Sequence, residues 1–151
     1  MTKLVDLTSD HFGDLYRIAM NMRQEATLYG NHKLDPSHII NVLTLMLESP
    51  EFFSQGSISD HRLVGVMLGA VQPEMWTQAR VGVDIIWYVA PEARGGPAGL
   101  KLIRQFEKWC KSKGAEYIQM EVKAGIDNDR VGELYQRLGY QPAGGAYIKE
   151  A

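Results

Sequence analysis

The first fifty residues carry two patterns of apolar positions, one with the period of a strand and one with the period of a helix. Lys3–Leu7 alternates between apolar and polar residues and predicts a short strand. Thr8 is a good helix N-cap, and apolar residues then recur at helical spacing to about Met22 or Glu25. The pattern therefore predicts a strand followed by a first helix.

A second helix is predicted to begin at Asp35-Pro36. An acid at the N-cap followed by proline at the first helical position is a typical helix start. Ser49-Pro50 marks its end. Seven of the eleven residues 37–47 are apolar, so we expect this helix to be buried on more than one side.

The middle of the chain contains three strand-like segments, Glu51–Ser57, Leu63–Val71 and Arg80–Ala90. The third is the strongest, because it is rich in Val, Ile, Trp and Tyr. The three are close enough in sequence to form a meander. We expect Arg80–Ala90 at the centre of the sheet.

The last third of the chain returns to alternating helices and strands. The predicted elements are a helix over about 97–113, a strand over 117–122, a short helix from Asp127 or Asn128 to Gly139, and a hairpin of 140–143 and 146–149 around Gly144-Gly145. The whole order is β-α-α-β-β-β-α-β-α-β-β. It predicts an α/β domain with a mixed (α+β) sheet.

Composition adds a few limits to this picture. The 151 residues contain no linker, so we expect one domain over 1–151. The net charge of −2 argues against general nucleic-acid binding. Cys110 is the only cysteine, the N-terminus has no signal-peptide core, and no apolar run reaches about 18 residues. We therefore expect a cytoplasmic protein without a membrane segment. Its four histidines form no close-spaced ligand pair, so no metal is expected.

The glycine-rich stretch VAPEARGGPAGLKLI lies between the strongest strand and the following helix. A strand, a glycine-rich turn and a helix start together form an anion site, because the first helical N–H groups have no internal partner. The nucleotide-binding patterns G-x-x-x-x-G-K-[ST] and G-x-G-x-x-G are both absent. The glycine-rich stretch is therefore neither of these two nucleotide-binding loops.

Two motifs resemble those of the GNAT family of N-acetyltransferases. The loop Arg94-Gly95-Gly96-Pro97-Ala98-Gly99 resembles the family's acetyl-CoA loop, which is Gln or Arg, two free residues, Gly, one free residue, then Gly or Ala. NDRVGELYQRLGY, residues 128–140, resembles the later segment in which Asn opens a helix carrying Leu-Tyr. The departure is Pro97, which has no N–H to offer a phosphate.

The resemblance implies acetyl-CoA as co-substrate and a binding core over residues 60–150, with residues 1–50 forming the acceptor side. It also implies that the sheet splays beside residues 84–90. Backbone groups near Trp87, Tyr88 and Val89 would pair with the pantetheine arm. The loop residues Arg94, Gly95, Gly96, Ala98 and Gly99 would hold the pyrophosphate, and Asn128 would contact the arm.

Three residues are candidates for proton transfer. Tyr135 matches the family's tyrosine acid, although a helix tyrosine also packs its ring into a core. Asp84 lies in an apolar strand, where the pKa of a carboxylate is often raised, so it is a candidate base. Strand alternation would instead turn it to solvent. Glu121 is the second candidate base, and relay by water is the third possibility.

The sequence thus predicts an acetyltransferase that moves an acetyl group from acetyl-CoA to a primary amine of a small molecule or peptide. The alternatives are a GNAT-fold module that binds CoA or a partner without turnover, and an enzyme for another acyl-CoA. Cys110 is expected in the core rather than as an acyl carrier. The acceptor and the choice between monomer and homodimer stay open.

Overall fold

A computed structural model describes residues 2–26, 32–122 and 124–151. Across these ranges the chain forms one five-stranded sheet and four α-helices. In chain order these elements are β1 Lys3–Asp6, α1 Phe12–Glu25, α2 Pro36–Glu48, β2 Phe52–Ser59, β3 Arg62–Pro73, β4 Arg80–Val89, α3 Ala98–Ser112, β5 Ala115–Gln119 and α4 Asn128–Arg137. No helix in the described ranges is both long enough and apolar enough to cross a bilayer.

The strands lie in the order β1-β2-β3-β4-β5. The first four are antiparallel neighbours, which confirms the meander, and β5 is parallel to β4. The link between β4 and β5 is α3, since a parallel pair needs a crossover. The prediction that Arg80–Ala90 is the central strand was wrong by one position: β3 is in the middle, and β4 is an interior strand beside it.

The two predicted helix starts are confirmed, with one addition. The Thr8 hydroxyl and the His11 ring form a capping box around a single 3-10 turn, Ser9–His11, and α1 begins after it. The Asp35 carboxylate accepts the N–H of His38 at 3.1 Å and caps α2. Both caps satisfy N–H groups that a helix leaves without partners.

The expectation that α2 is buried on more than one side was wrong. Leu43 and Met46 are its buried residues, whereas Ile40 is 40% exposed and Leu45 is 56% exposed. The helix packs one face against α1 and β2. Apolar composition could not show this, because the number of covered faces depends on which other elements surround the helix.

The predicted C-terminal hairpin does not form. Residues 140–151 have neither helix nor strand, and Tyr147 is fully exposed. The observed order therefore ends at α4, without the two last strands. The stretch offers two glycines, three alanines and Pro142, which bury little apolar surface, and proline cannot donate to a ladder. The strand expected over 117–122 lies two to three residues earlier, at Ala115–Gln119.

Helix α3 packs on one face of the sheet through a cluster that includes Phe106 and Cys110, both fully buried. This confirms Cys110 as a core residue, and burial raises the pKa of its thiol to about 12. The close approach depends on Gly69 in β3. A Cβ there would lie 2.4 Å from Phe106 Cε2 and 2.9 Å from the Val83 carbonyl oxygen.

Gly69→Ala is therefore expected to destabilise the fold by about 1–3 kcal/mol, the usual cost of overpacking. The aromatic ring and a strand carbonyl are both in the way, and the carbonyl cannot rotate aside. Urea denaturation measures the loss. The matched control is Gly13→Ala in α1, where a Cβ meets nothing within 4 Å, so stability should stay level or rise. Equal stability of Gly69→Ala and the wild type would contradict the packing described here.

Candidate active site

The parallel strands β4 and β5 part halfway along β4. Their pairing ends where Val83 lies opposite Gln119. Just beyond this point β4 carries a β-bulge. Leu68 pairs with Ile86 and Gly69 with Asp84, so Ile85 is an extra residue. The splay that the resemblance implied is thus present, and it opens one edge of β4 between residues 84 and 89.

A cleft of about 590 Å³ occupies this opening. It lies between the end of β4, the glycine-rich loop, the segment after β5 and one side of α4. Every predicted site residue except Ala98 lines it. These are Asp84, Trp87, Tyr88, Val89, Arg94, Gly95, Gly96, Gly99, Glu121, Asn128 and Tyr135. Ala98 is buried at the start of α3.

The glycine-rich loop enters α3 through a turn that favours glycine, since Gly95 has φ +85°. Pro97 takes the N-cap position and makes no side-chain cap. The helical bond that its carbonyl accepts comes from Lys101, at 3.0 Å. The N–H groups of the intervening first turn therefore have no acceptor within the helix, and the positive end of the helix dipole lies beside the cleft.

Gly99 brings the start of α3 close to β4. A Cβ on Gly99 would lie 3.0 Å from Trp87 Cζ2 and 3.1 Å from Val89 Cγ2, closer than ordinary contact. The Trp87 indole N–H donates to the Gly99 carbonyl at 3.2 Å. These contacts tie the loop to the strand whose edge borders the cleft.

Tyr135 is 5% exposed, and its ring lies between the rings of Trp87 and Tyr140, with centroids 5.8 and 5.7 Å away. Its hydroxyl donates a long hydrogen bond of 3.5 Å to the Glu121 carbonyl. Burial, and then the charge of Asp84, raise the pKa of this phenol above its usual value. The ring therefore packs as the core interpretation expects, and Tyr135 also lines the cleft.

Asp84 and Glu121 lie on the two sides of the opening. The Asp84 carboxylate accepts the backbone N–H of Glu121 at 3.0 Å and so links β4 to the segment after β5. Both residues are partly buried and line the cleft. Asp84 is thus half-buried at the cleft and not turned to bulk solvent.

Asn128 is the first residue of α4 and lines the cleft. Asp127 occupies the N-cap position in the left-handed region, with φ 47°, and its side chain makes no cap hydrogen bond. The first turn of α4 therefore faces the same opening as the first turn of α3. In the described part of the chain, no group of three or more His, Cys, Asp or Glu side chains could hold a metal ion.

Sequence reasoning missed Glu25, the last residue of α1. The Arg94 guanidinium donates to both Glu25 carboxylate oxygens, one of them at 2.8 Å, and the Tyr88 hydroxyl donates to the same carboxylate at 2.7 Å. The sequence contained only one weak indication that Glu25 has a partner. An acid in the last turn of a helix opposes the helix dipole, so its presence there favours a partner elsewhere.

The mixed sheet, the parted strands and the helix starts around the cleft define an acyl-CoA N-acyltransferase type of fold. The sequence pattern of the acetyltransferase (GNAT) family matches residues 15–140, and the chain belongs to that family. No curated protein matches the chain in sequence.

Solved structures share the fold over their whole length. AAC(6')-Iy in complex with the bisubstrate analogue CoA-S-monomethyl-acetylneamine has a TM-score of 0.77 at 14% identity, covering 100% of this chain and 98% of that one. The ribosomal-protein-alanine N-acetyltransferase of Brucella melitensis biovar Abortus 2308 has a TM-score of 0.73 at 16% identity, covering 100% and 99%. An acetyltransferase of Trypanosoma brucei has a TM-score of 0.75 at 16% identity, covering 100% of both chains.

Proposed function

We propose that this protein transfers an acetyl group from acetyl-CoA to a primary amine of a small molecule or peptide by direct attack of the amine. Membership of the acetyltransferase family supports the reaction class. The observation that carries the proposal is the cleft itself, in which the loop, the open edge of β4 and the three proton-transfer candidates meet. Titration with acetyl-CoA, followed by an amine screen with thiol release as readout, tests it.

The cleft is lined by the backbone and side-chain groups that the proposal assigns to acetyl-CoA. Backbone groups at Trp87, Tyr88 and Val89 would pair with the pantetheine arm along the edge of β4. The pyrophosphate would lie at the loop, where N–H groups of Gly95, Gly96, Ala98 and Gly99 are available to an anion. Asn128 would contact the arm from the opposite side of the cleft.

Bound acetyl-CoA supplies an acyl group on a thioester, and the residues of this chain handle the protons. The amine nitrogen forms a bond to the acyl carbon as the carbon–sulfur bond breaks. Asp84 accepts the proton that the amine loses, with Glu121 or water as the alternatives. Tyr135 acts as the acid: its hydroxyl donates a hydrogen bond to the departing sulfur and stabilises the negative charge that develops there. A backbone N–H near residues 87–89 stabilises the charge on the acyl oxygen.

The second candidate function is a CoA-binding or interaction module without turnover. One observation favours it: Pro97 has no N–H to offer a phosphate at the loop. Calorimetry separates the two candidates. Heat of binding with acetyl-CoA together with release of thiol in the presence of an amine supports the enzyme, whereas binding without thiol release, or no binding, supports the module. A series of longer acyl chains identifies a different acyl donor.

Pro97→Gly is expected to leave acetyl-CoA affinity equal or slightly tighter. The substitution restores one N–H, and a hydrogen bond contributes about 0.5–1.5 kcal/mol. The greater freedom of glycine offsets about 0.4–1 kcal/mol of this gain. Calorimetry on both proteins measures the difference. A clear loss of affinity in Pro97→Gly would mean that the proline itself shapes the loop for the pyrophosphate.

A further inference from the structure

A three-residue cluster joins the end of α1 to the entrance of the loop; we refer to Glu25, Tyr88 and Arg94 as the Glu25 cluster. Arg94 donates through Nε to the Val89 carbonyl at 2.9 Å and through both terminal nitrogens to Glu25. Its guanidinium also lies over the Tyr88 ring, 5.4 Å from the centroid. Arg94 thus bridges the last residue of β4 and the last residue of α1.

The charges in the cluster are well matched at neutral pH. Hydrogen bonds from Arg94 hold the pKa of the Glu25 carboxyl below its usual value. Burial and the hydrogen bond to Glu25 raise the pKa of Tyr88 to about 12, so its hydroxyl stays a donor. The carboxylate therefore accepts from a guanidinium and a phenol at once, an arrangement of charge-assisted bonds that orients all three side chains.

The Glu25 cluster lies directly before the two glycines of the 94–99 loop. Gly95 and Gly96 follow Arg94 directly, and neither has a side chain to restrict its backbone. On the other side of these glycines, the start of α3 is held by Trp87 through the Gly99 carbonyl. Arg94 is thus the last fixed residue before the flexible pair. The carboxylate of Glu25 and the carbonyl of Val89 hold its side chain.

We infer that Glu25 is a positioning residue for acetyl-CoA binding: through Arg94 it fixes the start of the 94–99 loop, so that the loop N–H groups are ordered before the pyrophosphate arrives. The inference rests on the proposed function. In this inference Arg94 holds the loop through its contacts with Glu25 and Val89, and the backbone N–H groups of the loop bind the phosphate. It also couples the helix on the acceptor side of the domain to the acetyl-CoA loop.

A double-mutant cycle on CoA affinity tests this coupling. Glu25→Ala and Arg94→Ala should each weaken CoA binding about 5- to 30-fold, since each removes the same half-exposed, charge-assisted pair. The double variant should be no weaker than Arg94→Ala alone, because Glu25 acts through Arg94. Additive losses would overturn the inference. Tighter binding in Glu25→Ala would do so as well, because it would mean that Glu25 competes with the phosphate for Arg94.

Kinetics and matched controls separate positioning from a general structural effect. Glu25→Ala should raise KM for acetyl-CoA with kcat nearly unchanged, and Glu25→Gln, which keeps an acceptor for Arg94, should recover part of the loss. Glu48→Ala is the control. Glu48 is likewise the last residue of a helix, in α2, and is exposed. Its replacement should leave CoA affinity as in the wild type. A fall in kcat alone in Glu25→Ala would overturn the positioning role.

Hydrogen–deuterium exchange of the free protein gives a readout that needs no CoA. In Glu25→Ala the amides of Ala93 and Arg94, which donate to the Ala90 carbonyl at 2.9 Å and to the Pro91 carbonyl at 3.3 Å, should exchange at least about threefold faster, because the turn that leads into the loop opens more readily. Glu48→Ala should leave their exchange unchanged. Unchanged exchange in Glu25→Ala would overturn the inference. If the wild type bound no CoA, the proposed function would fail, and exchange would still decide whether Glu25 orders the loop.

Discussion

Replacing Tyr135 with phenylalanine should lower kcat about 10²- to 10⁴-fold, the usual range for loss of a general acid. The ring would keep its packing between Trp87 and Tyr140, and the lost hydrogen bond to the Glu121 carbonyl is long, so stability should barely change. Acetyl-CoA affinity should fall by no more than one hydrogen bond, about 0.5–1.5 kcal/mol. Steady-state kinetics with a melting curve measure all three.

The physical reason lies in the phenol's surroundings. Burial and Asp84 raise the pKa of Tyr135, so the hydroxyl is protonated at any working pH and is ready to donate. Because a thiol has a pKa near about 8.5, complete transfer from this phenol to a thiolate is uphill. The hydroxyl therefore acts mainly by stabilising negative charge on sulfur as the carbon–sulfur bond breaks.

Tyr140→Phe is the matched control for this experiment. Its ring also packs against that of Tyr135, but its hydroxyl donates to Glu107 at 2.9 Å, and Tyr140 is not among the residues that line the cleft. The control should lose some stability and keep its kcat. Wild-type turnover in Tyr135→Phe would remove the hydroxyl from the mechanism and leave Tyr135 as a packing residue.

Asp84→Asn should lower kcat by a similar factor, about 10²- to 10⁴-fold, with acetyl-CoA affinity nearly intact. The amide oxygen of asparagine can still accept the Glu121 N–H, so the link across the opening survives. A base must be deprotonated to act, so the wild-type rate falls as the pH drops through its pKa. The acidic limb of the pH–rate profile should therefore flatten in the variant.

The pH profile of Asp84→Asn also identifies the alternative. An acidic limb that persists unchanged would exclude Asp84 as the titrating base and leave Glu121 or water. Glu121→Gln then separates these two, because only a base at Glu121 would lose its acidic limb in that variant. Calorimetry with acetyl-CoA on each variant confirms that the binding site is intact.

Local patterns were sufficient to predict most elements of this fold. The cap at Asp35-Pro36, the β-branched run of β4 and the apolar face of α3 each depend on neighbours a few residues away, and all three are confirmed. The glycine-rich loop was likewise readable, since a strand, glycines and a helix start follow one another in the chain. These features need no knowledge of what packs against them.

The limits of local reasoning appear at α2 and at the C-terminus. The residue types of α2 predicted a helix buried on more than one side, and those near the C-terminus predicted a hairpin. In the structure α2 leaves Leu45 exposed and residues 140–151 form no hairpin. Burial and strand pairing depend on a partner surface, and a single sequence does not state where that surface lies. The same is true of the sheet, in which β3 rather than β4 is central.

The sequence by itself determined the elements as far as α4, their order, and the residues around which a CoA site is proposed. Only the tertiary structure decided how they meet: the parting of β4 from β5 after Val83, with the bulge at Ile85 just beyond it, the cleft that gathers Asp84 and Tyr135, and the ion pair between Glu25 and Arg94. The physical reason is distance along the chain. Helix and strand periods act over a few residues, whereas Glu25 and Arg94 are 69 residues apart and meet only once the core has formed.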